Sequence, residues 1–152
     1  MKLGEALTEL KKTKARLTRL IQLRKDNVFA EKGKKSKLDP KELSQEIDMR
    51  IEEIRKLKIK IQRTNLLTQV ADGKISLAEA IIKVGDLRSR ISNLGSLFER
   101  KRDYLFRDKD EKEKVGQLDE RRVEDEIQAL ETERSQLDNK IQVTNWTNEL
   151  LD

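Results

Sequence analysis

Six side chains carry most of the chemistry this sequence can offer: Glu5, Gln62, Asn65, Glu79, Gln142 and Asn145. Two are carboxylates and four are carboxamides. Such oxygen donors suit a hard cation, Ca²⁺ or Mg²⁺, or a ligand amine. Their spacing draws them together. KIQRTN occupies residues 60–65 and KIQVTN residues 140–145, an offset of 80. Upstream, Leu3-Gly4-Glu5-Ala6-Leu7 parallels Leu77-Ala78-Glu79-Ala80-Ile81 at an offset of 74. In antiparallel helical hairpins the start of one helix meets the end of the next. Glu5 is then expected near Gln62, Thr64 and Asn65, and Glu79 near Gln142, Thr144 and Asn145, all at one end of a bundle. A plainer role competes for the same residues. Buried amides can set helix register by bonding each other, and Glu79 can cap its own helix.

Composition removes whole classes of chemistry. The chain has no Cys and no His, which excludes disulfides, thiolate or imidazole metal sites, and Ser-His or Cys-His catalysis. No nucleophile stands beside a base. No catalytic residue, metal ion or cofactor is therefore expected. Charged residues make up 41% and apolar residues 35%, against about 25% and about 45–50% in ordinary globular domains. Such a chain buries only a thin core, and self-association would add burial that one copy lacks. Net charge is +5, which permits weak attraction to polyanions. The start, MKLGEALTEL, is amphipathic and does not read as a signal peptide, so a cytoplasmic protein is expected.

The elements that must position these residues are helices. Leu3, Leu7, Leu10, Lys14, Leu17, Ile21 and Arg24 step by four and three, with Ala6, Leu20 and Leu23 widening the stripe, which predicts a first helix from about Lys2 to about Phe29 that touches two neighbours. Asp39 and Pro40 suit the cap and first turn of a second helix, to about Val70, with Leu43, Ile47, Ile51, Ile54, Lys58, Ile61 and Asn65 on one face. Ala71-Asp72-Gly73-Lys74 signals a turn. Ser76 and Glu79 form a capping box for a third helix, from about Leu77 to about Tyr104. Its stripe is Leu77, Ile81, Val84, Arg88, Ile91, Gly95 and Phe98, and Gly85 and Gly95 suggest close approach of another helix. A charged connection, 107–116, leads to a fourth helix from about Leu118 to about Leu150, striped by Val123, Ile127, Leu130, Arg134, Leu137, Ile141 and Thr144. The expectation is an all-α single domain over 1–152. It consists of two tandem helical hairpins, 1–72 and 75–152, forming an elongated antiparallel four-helix bundle or coiled coil.

Two further features stand outside the polar cluster. Lys32, Lys34, Lys35 and Lys37 make the first connection a basic loop, either simply solvated or in weak contact with RNA or anionic lipid phosphates. Trp146, the sole Trp, suits an anchor in the core or in a homo-oligomer interface.

MKLGEAL with Arg16, IQRTN at 61–65, LAEAI…DLRSRI at 77–91 and KIQVTNWTNELLD at 140–152 together resemble the septicolysin-like family, a group of bacterial helical proteins of similar length. The resemblance implies a helical, oligomeric protein, and by the family's name a membrane-active cytolysin. It transfers no catalytic residue. The reading that follows is a non-enzymatic helical oligomeric scaffold or interaction protein. Membrane lysis and polyanion binding through residues 32–37 are the alternatives.

Overall fold

Asp39 opens a helix for a simple reason. Its carboxylate accepts the Lys41 amide at 2.8 Å, and Pro40 supplies a preset backbone angle with no N–H left unpaired. Asp119 does the same for the Arg121 amide at 3.0 Å. Glu5 accepts the Lys2 amide at 2.7 Å, and Glu79 accepts the Ser76 amide at 2.7 Å. These caps start four helices: α1 (Leu3–Asn27), α2 (Pro40–Leu67), α3 (Leu77–Gly95) and α4 (Glu120–Thr147). The structure, a computed structural model, describes residues 1–70, 73–99 and 114–152. The expected turn at Ala71-Asp72, the end of the third helix beyond 99 and most of the charged connection lie outside the described residues.

The chain is all-α. α1 packs on α2 and α3 on α4 as two close helix pairs, while α1 meets α4 and α2 meets α3 over shorter stretches. Each helix thus touches two neighbours, as a four-helix bundle requires. One core joins the pairs at the shared end. It contains Leu3 and Ala6 of α1, Ile61 of α2, Leu77, Ala80 and Val84 of α3, and Leu137 and Ile141 of α4. A smaller core of Leu20, Leu43 and Ile47 lies farther along the first hairpin and belongs to that hairpin alone.

The buried face of α3 is rotated from the expected stripe, and α1 and α2 depart from theirs at single positions. In α1 the buried residues are Leu3, Ala6, Thr13 and Leu20, whereas Leu7 and Lys14 are exposed. In α3 they are Leu77, Ala80, Val84 and Leu87, whereas Ile81 and Arg88 are exposed. In α2, Ile51 and Lys58 face out. The cause is size. Where four helices converge, small residues such as Ala6 and Ala80 let backbones approach, so the seam runs through them and not through the larger Leu7 and Ile81. In α4 the expected positions are all buried or half-buried.

α3 stops at Gly95, earlier than the sequence pattern suggests. Ser96 takes the cap position and its amide bonds the Ser92 carbonyl at 3.2 Å. Among the described residues no helix closes on Gly85 or Gly95, since a Cβ at either would meet open space. The close approach occurs at Gly4, where a Cβ would lie 2.7 Å from the Trp146 ring.

Candidate functional site

The joined end is built from short backbone pairings. The Leu3 amide bonds the Asn148 carbonyl at 3.0 Å, and the Leu150 amide bonds the Met1 carbonyl at 2.8 Å. At positions related by the offsets of 74 and 80, the Leu77 amide bonds the Thr68 carbonyl at 2.8 Å and the Val70 amide bonds the Ile75 carbonyl at 3.1 Å. The segment leaving α4 is thereby laid against the start of α1, and the segment leaving α2 against the start of α3. Side chains follow the same correspondence. Arg16 pairs with Glu46 at 2.5 Å, and Arg90 pairs with Glu126 at 2.6 Å.

The threonine of the recurring motif does more here than the glutamine. Thr64 and Thr144 are fully or almost fully buried. The Thr64 hydroxyl donates to the Lys60 carbonyl at 2.8 Å and accepts the Leu151 amide at 3.0 Å. It therefore fixes the segment after α4 onto α2. The signal for this lay in the sequence: both copies of the motif keep Thr at that position.

The six expected site residues separate into three groups. Glu5 and Glu79 are exposed capping acids, each turned back onto its own helix start. The Ser76 amide and hydroxyl, both bonded to the Glu79 carboxylate, hold its pKa below the usual range. Gln62 and Gln142 point to solvent. Asn65 and Asn145 are buried, and neither carboxamide forms a hydrogen bond among the described residues. No hydrogen bond among the described residues links the glutamates to the amides. The six residues therefore do not form one hydrogen-bonded cluster among the described residues. A carboxylate in the first helical turn gains more from the free amides there than from reaching across to a neighbouring helix.

The second expected site, the basic loop, is fully on the surface. Lys34 pairs with Glu31, and Lys32, Lys35 and Lys37 are exposed. An open groove of about 870 Å³ beside α2 is lined by Glu9, Asp48, Met49, Glu52 and Glu53 among others. Its acids do not form a cation site: among the described residues no three such side chains are grouped to hold a metal ion.

Trp146 is half exposed, at 55%. One side of its indole rests on Gly4, and the ring fills no core. Val143 lies one turn before it on α4, and Leu7 lies one turn after Gly4 on α1; both are exposed. Across the end, Leu66, Leu67, Ile81 and Ile82 are exposed on α2 and α3. An all-α protein with an apolar surface at the end where its hairpins join is a candidate binding module.

The fold and this surface define a protein of two paired helical hairpins. The chain belongs to the Family of unknown function (DUF6847), whose model matches residues 10–150. It is also similar to a conserved protein from Corynebacterium diphtheriae, described as functionally unknown, whose crystal structure has been solved. The two share 28% identity over 99% of each chain, with a TM-score of 0.85. No curated protein matches the sequence significantly. These findings replace the septicolysin-like resemblance, because neither the matching family nor the structural relative is of that kind. The motifs that suggested it are the caps and joins just described, which this pairing of hairpins needs for its own geometry.

Proposed function

We propose that the protein is a non-enzymatic helical interaction module that self-associates through the apolar surface of its joined end. The observation that carries this reading is Trp146. A large aromatic ring is held against Gly4 yet left half open, beside exposed Val143 and Leu7. Aromatic side chains placed so are the usual anchors of protein interfaces. The exposed Leu66, Leu67, Ile81 and Ile82 supply a second, offset-related apolar face at the same end. Glu5 and Glu79 serve as caps and are not free for acid–base work, in keeping with a role without turnover.

Sedimentation velocity over a concentration series tests this. The native chain should run as a dimer or larger species at micromolar concentration. Trp146→Ala should weaken the association by about thirtyfold or more, as expected of an interface anchor costing at least ~2 kcal/mol. A native chain that stays monomeric at hundreds of micromolar would remove the self-association.

A further inference from the structure

We infer that the tip of the first hairpin is a docking finger for an anionic lipid bilayer. This stands on different residues from the proposed self-association. Phe29 is 90% exposed, the highest exposure among the large hydrophobics of the described residues. Val28 on one side and Leu38 at the other end of the loop are also exposed. Between them come Lys32, Lys34, Lys35 and Lys37, with Glu31 as the sole acid from 28 to 38. Glu31 is taken up by Lys34, which leaves Lys32, Lys35 and Lys37 exposed without an ion pair among the described residues.

The loop is a built structure. Asn27 closes its neck: its carboxamide donates to the Leu23 carbonyl at 2.8 Å and accepts the Leu38 amide at 3.3 Å. The Lys34 amide bonds the Glu31 carbonyl at 2.9 Å, and Gly33 takes φ +83°, open to few other residues. The Ser36 hydroxyl bonds the Leu38 carbonyl at 2.7 Å. These bonds hold the ends of the loop together and leave Phe29 and the lysines outside.

Apolar side chains beside unpaired cations match the boundary of an anionic bilayer. Lysines lie at the headgroup phosphates while Phe, Val and Leu enter the acyl edge. Single-stranded nucleic acid would use Phe29 for stacking and the lysines for phosphates, but would leave Val28 and Leu38 in water. Three adjacent apolar groups therefore favour lipid. Docking stops at the surface, because no helix among the described residues is long and apolar enough to cross a membrane.

The test is co-sedimentation of the whole chain with extruded vesicles of phosphatidylcholine containing one part in three phosphatidylserine, against phosphatidylcholine alone. Binding should require phosphatidylserine and fall with added salt. Each lysine near such a surface contributes about fivefold, so Lys32→Ser with Lys35→Ser and Lys37→Ser should weaken binding about a hundredfold. Phe29→Ala should weaken it about tenfold, the effect of losing most of one inserted apolar side chain. All four positions are exposed, and an unchanged thermal melt confirms an intact fold. No partition into phosphatidylserine vesicles overturns the inference. So does Phe29→Ala binding as the native chain does, which would reduce the loop to charge alone. Tighter binding to an oligouridylate than to vesicles, lost in the same variants, would overturn it in favour of RNA.

Discussion

Gly4 and Trp146 are in contact across the α1–α4 seam so closely that a methyl group at Gly4 would lie 2.7 Å from the indole. Gly4→Ala should therefore displace the ring, despite the gain of about 1 kcal/mol that Ala brings to a helix. Overpacking typically costs about 1–3 kcal/mol, so the net loss should be small but measurable, with Tm lowered by a few degrees. Trp146 is the single Trp, so its fluorescence reads the same event as a red shift. In a Trp146→Ala background the cost should vanish, and a penalty that persists there would place the strain elsewhere.

Thr64 presents a different case, because its loss removes a bond and not a shape. Val fits the same space but cannot accept the Leu151 amide. Thr64→Val should cost about 1–2 kcal/mol, the usual penalty for a polar group left unpaired. Amide exchange at Leu151 should quicken well beyond what the global loss of stability explains. Exchange at Leu151 that is unchanged would mean the hydroxyl does not hold this segment.

Arg134 sits in the interior stripe of α4, and its Nε is buried without a hydrogen-bond partner among the described residues. The position related by the offset of 80 is Ile54, a buried core residue. Arg134→Leu should thus be neutral or stabilising by about 1 kcal/mol, because an unpaired buried donor is removed. Chemical denaturation checks this, and a loss above about 1 kcal/mol would show that the rest of the guanidinium matters more than its Nε.

Acid should loosen the joined end first. The carboxyls of Glu79, Glu149 and Asp152 are all held below their ordinary pKa. The causes are the Ser76 amide for Glu79, the Lys2 ammonium for Glu149, and the Lys60 ammonium for Asp152. A group whose folded pKa is depressed stabilises the fold above its unfolded pKa, and that contribution is lost as pH falls through the folded value. Stability should be level near neutrality and decline as pH drops below about 4.5, the ordinary glutamate value. Glu79→Gln should flatten part of that decline. An unaltered pH profile in this variant would remove the capping carboxylate as a source of acid sensitivity.

The ion pairs Arg16–Glu46 and Arg90–Glu126 should contribute little. Both arginines are well exposed, and such pairs are typically worth about 0.2–1 kcal/mol and are screened by salt. Arg16→Ala should shift Tm by no more than a few degrees, and a larger fall would reveal a packing role for the arginine stem.

Much of this architecture was legible in the residues themselves. Asp39 with Pro40 and Ser76 with Glu79 mark helix starts because capping is a contact within four residues, and the structure forms both. The 3–4 spacing of Leu43, Ile47, Ile54 and Ile61 likewise names a helix and most of its buried face. Glu5 looks like a partner for Gln62 and Asn65, and Glu79 for Gln142 and Asn145, only while their helix ends are imagined as interchangeable polar surfaces. In three dimensions the nearest unpaired amides win, and the glutamates turn inward on their own helices.

What the sequence determined alone is local: helix periods, caps, turns, and the absence of His and Cys chemistry. What only the tertiary structure decided is which small residues form the seam, and therefore which large ones are left outside. Thr13 and Ala80 go in while Leu7, Ile81 and Trp146 stay on the surface. Hydrophobicity read along a chain ranks Ile81 above Ala80. Where four backbones converge, the closeness of approach ranks them the other way.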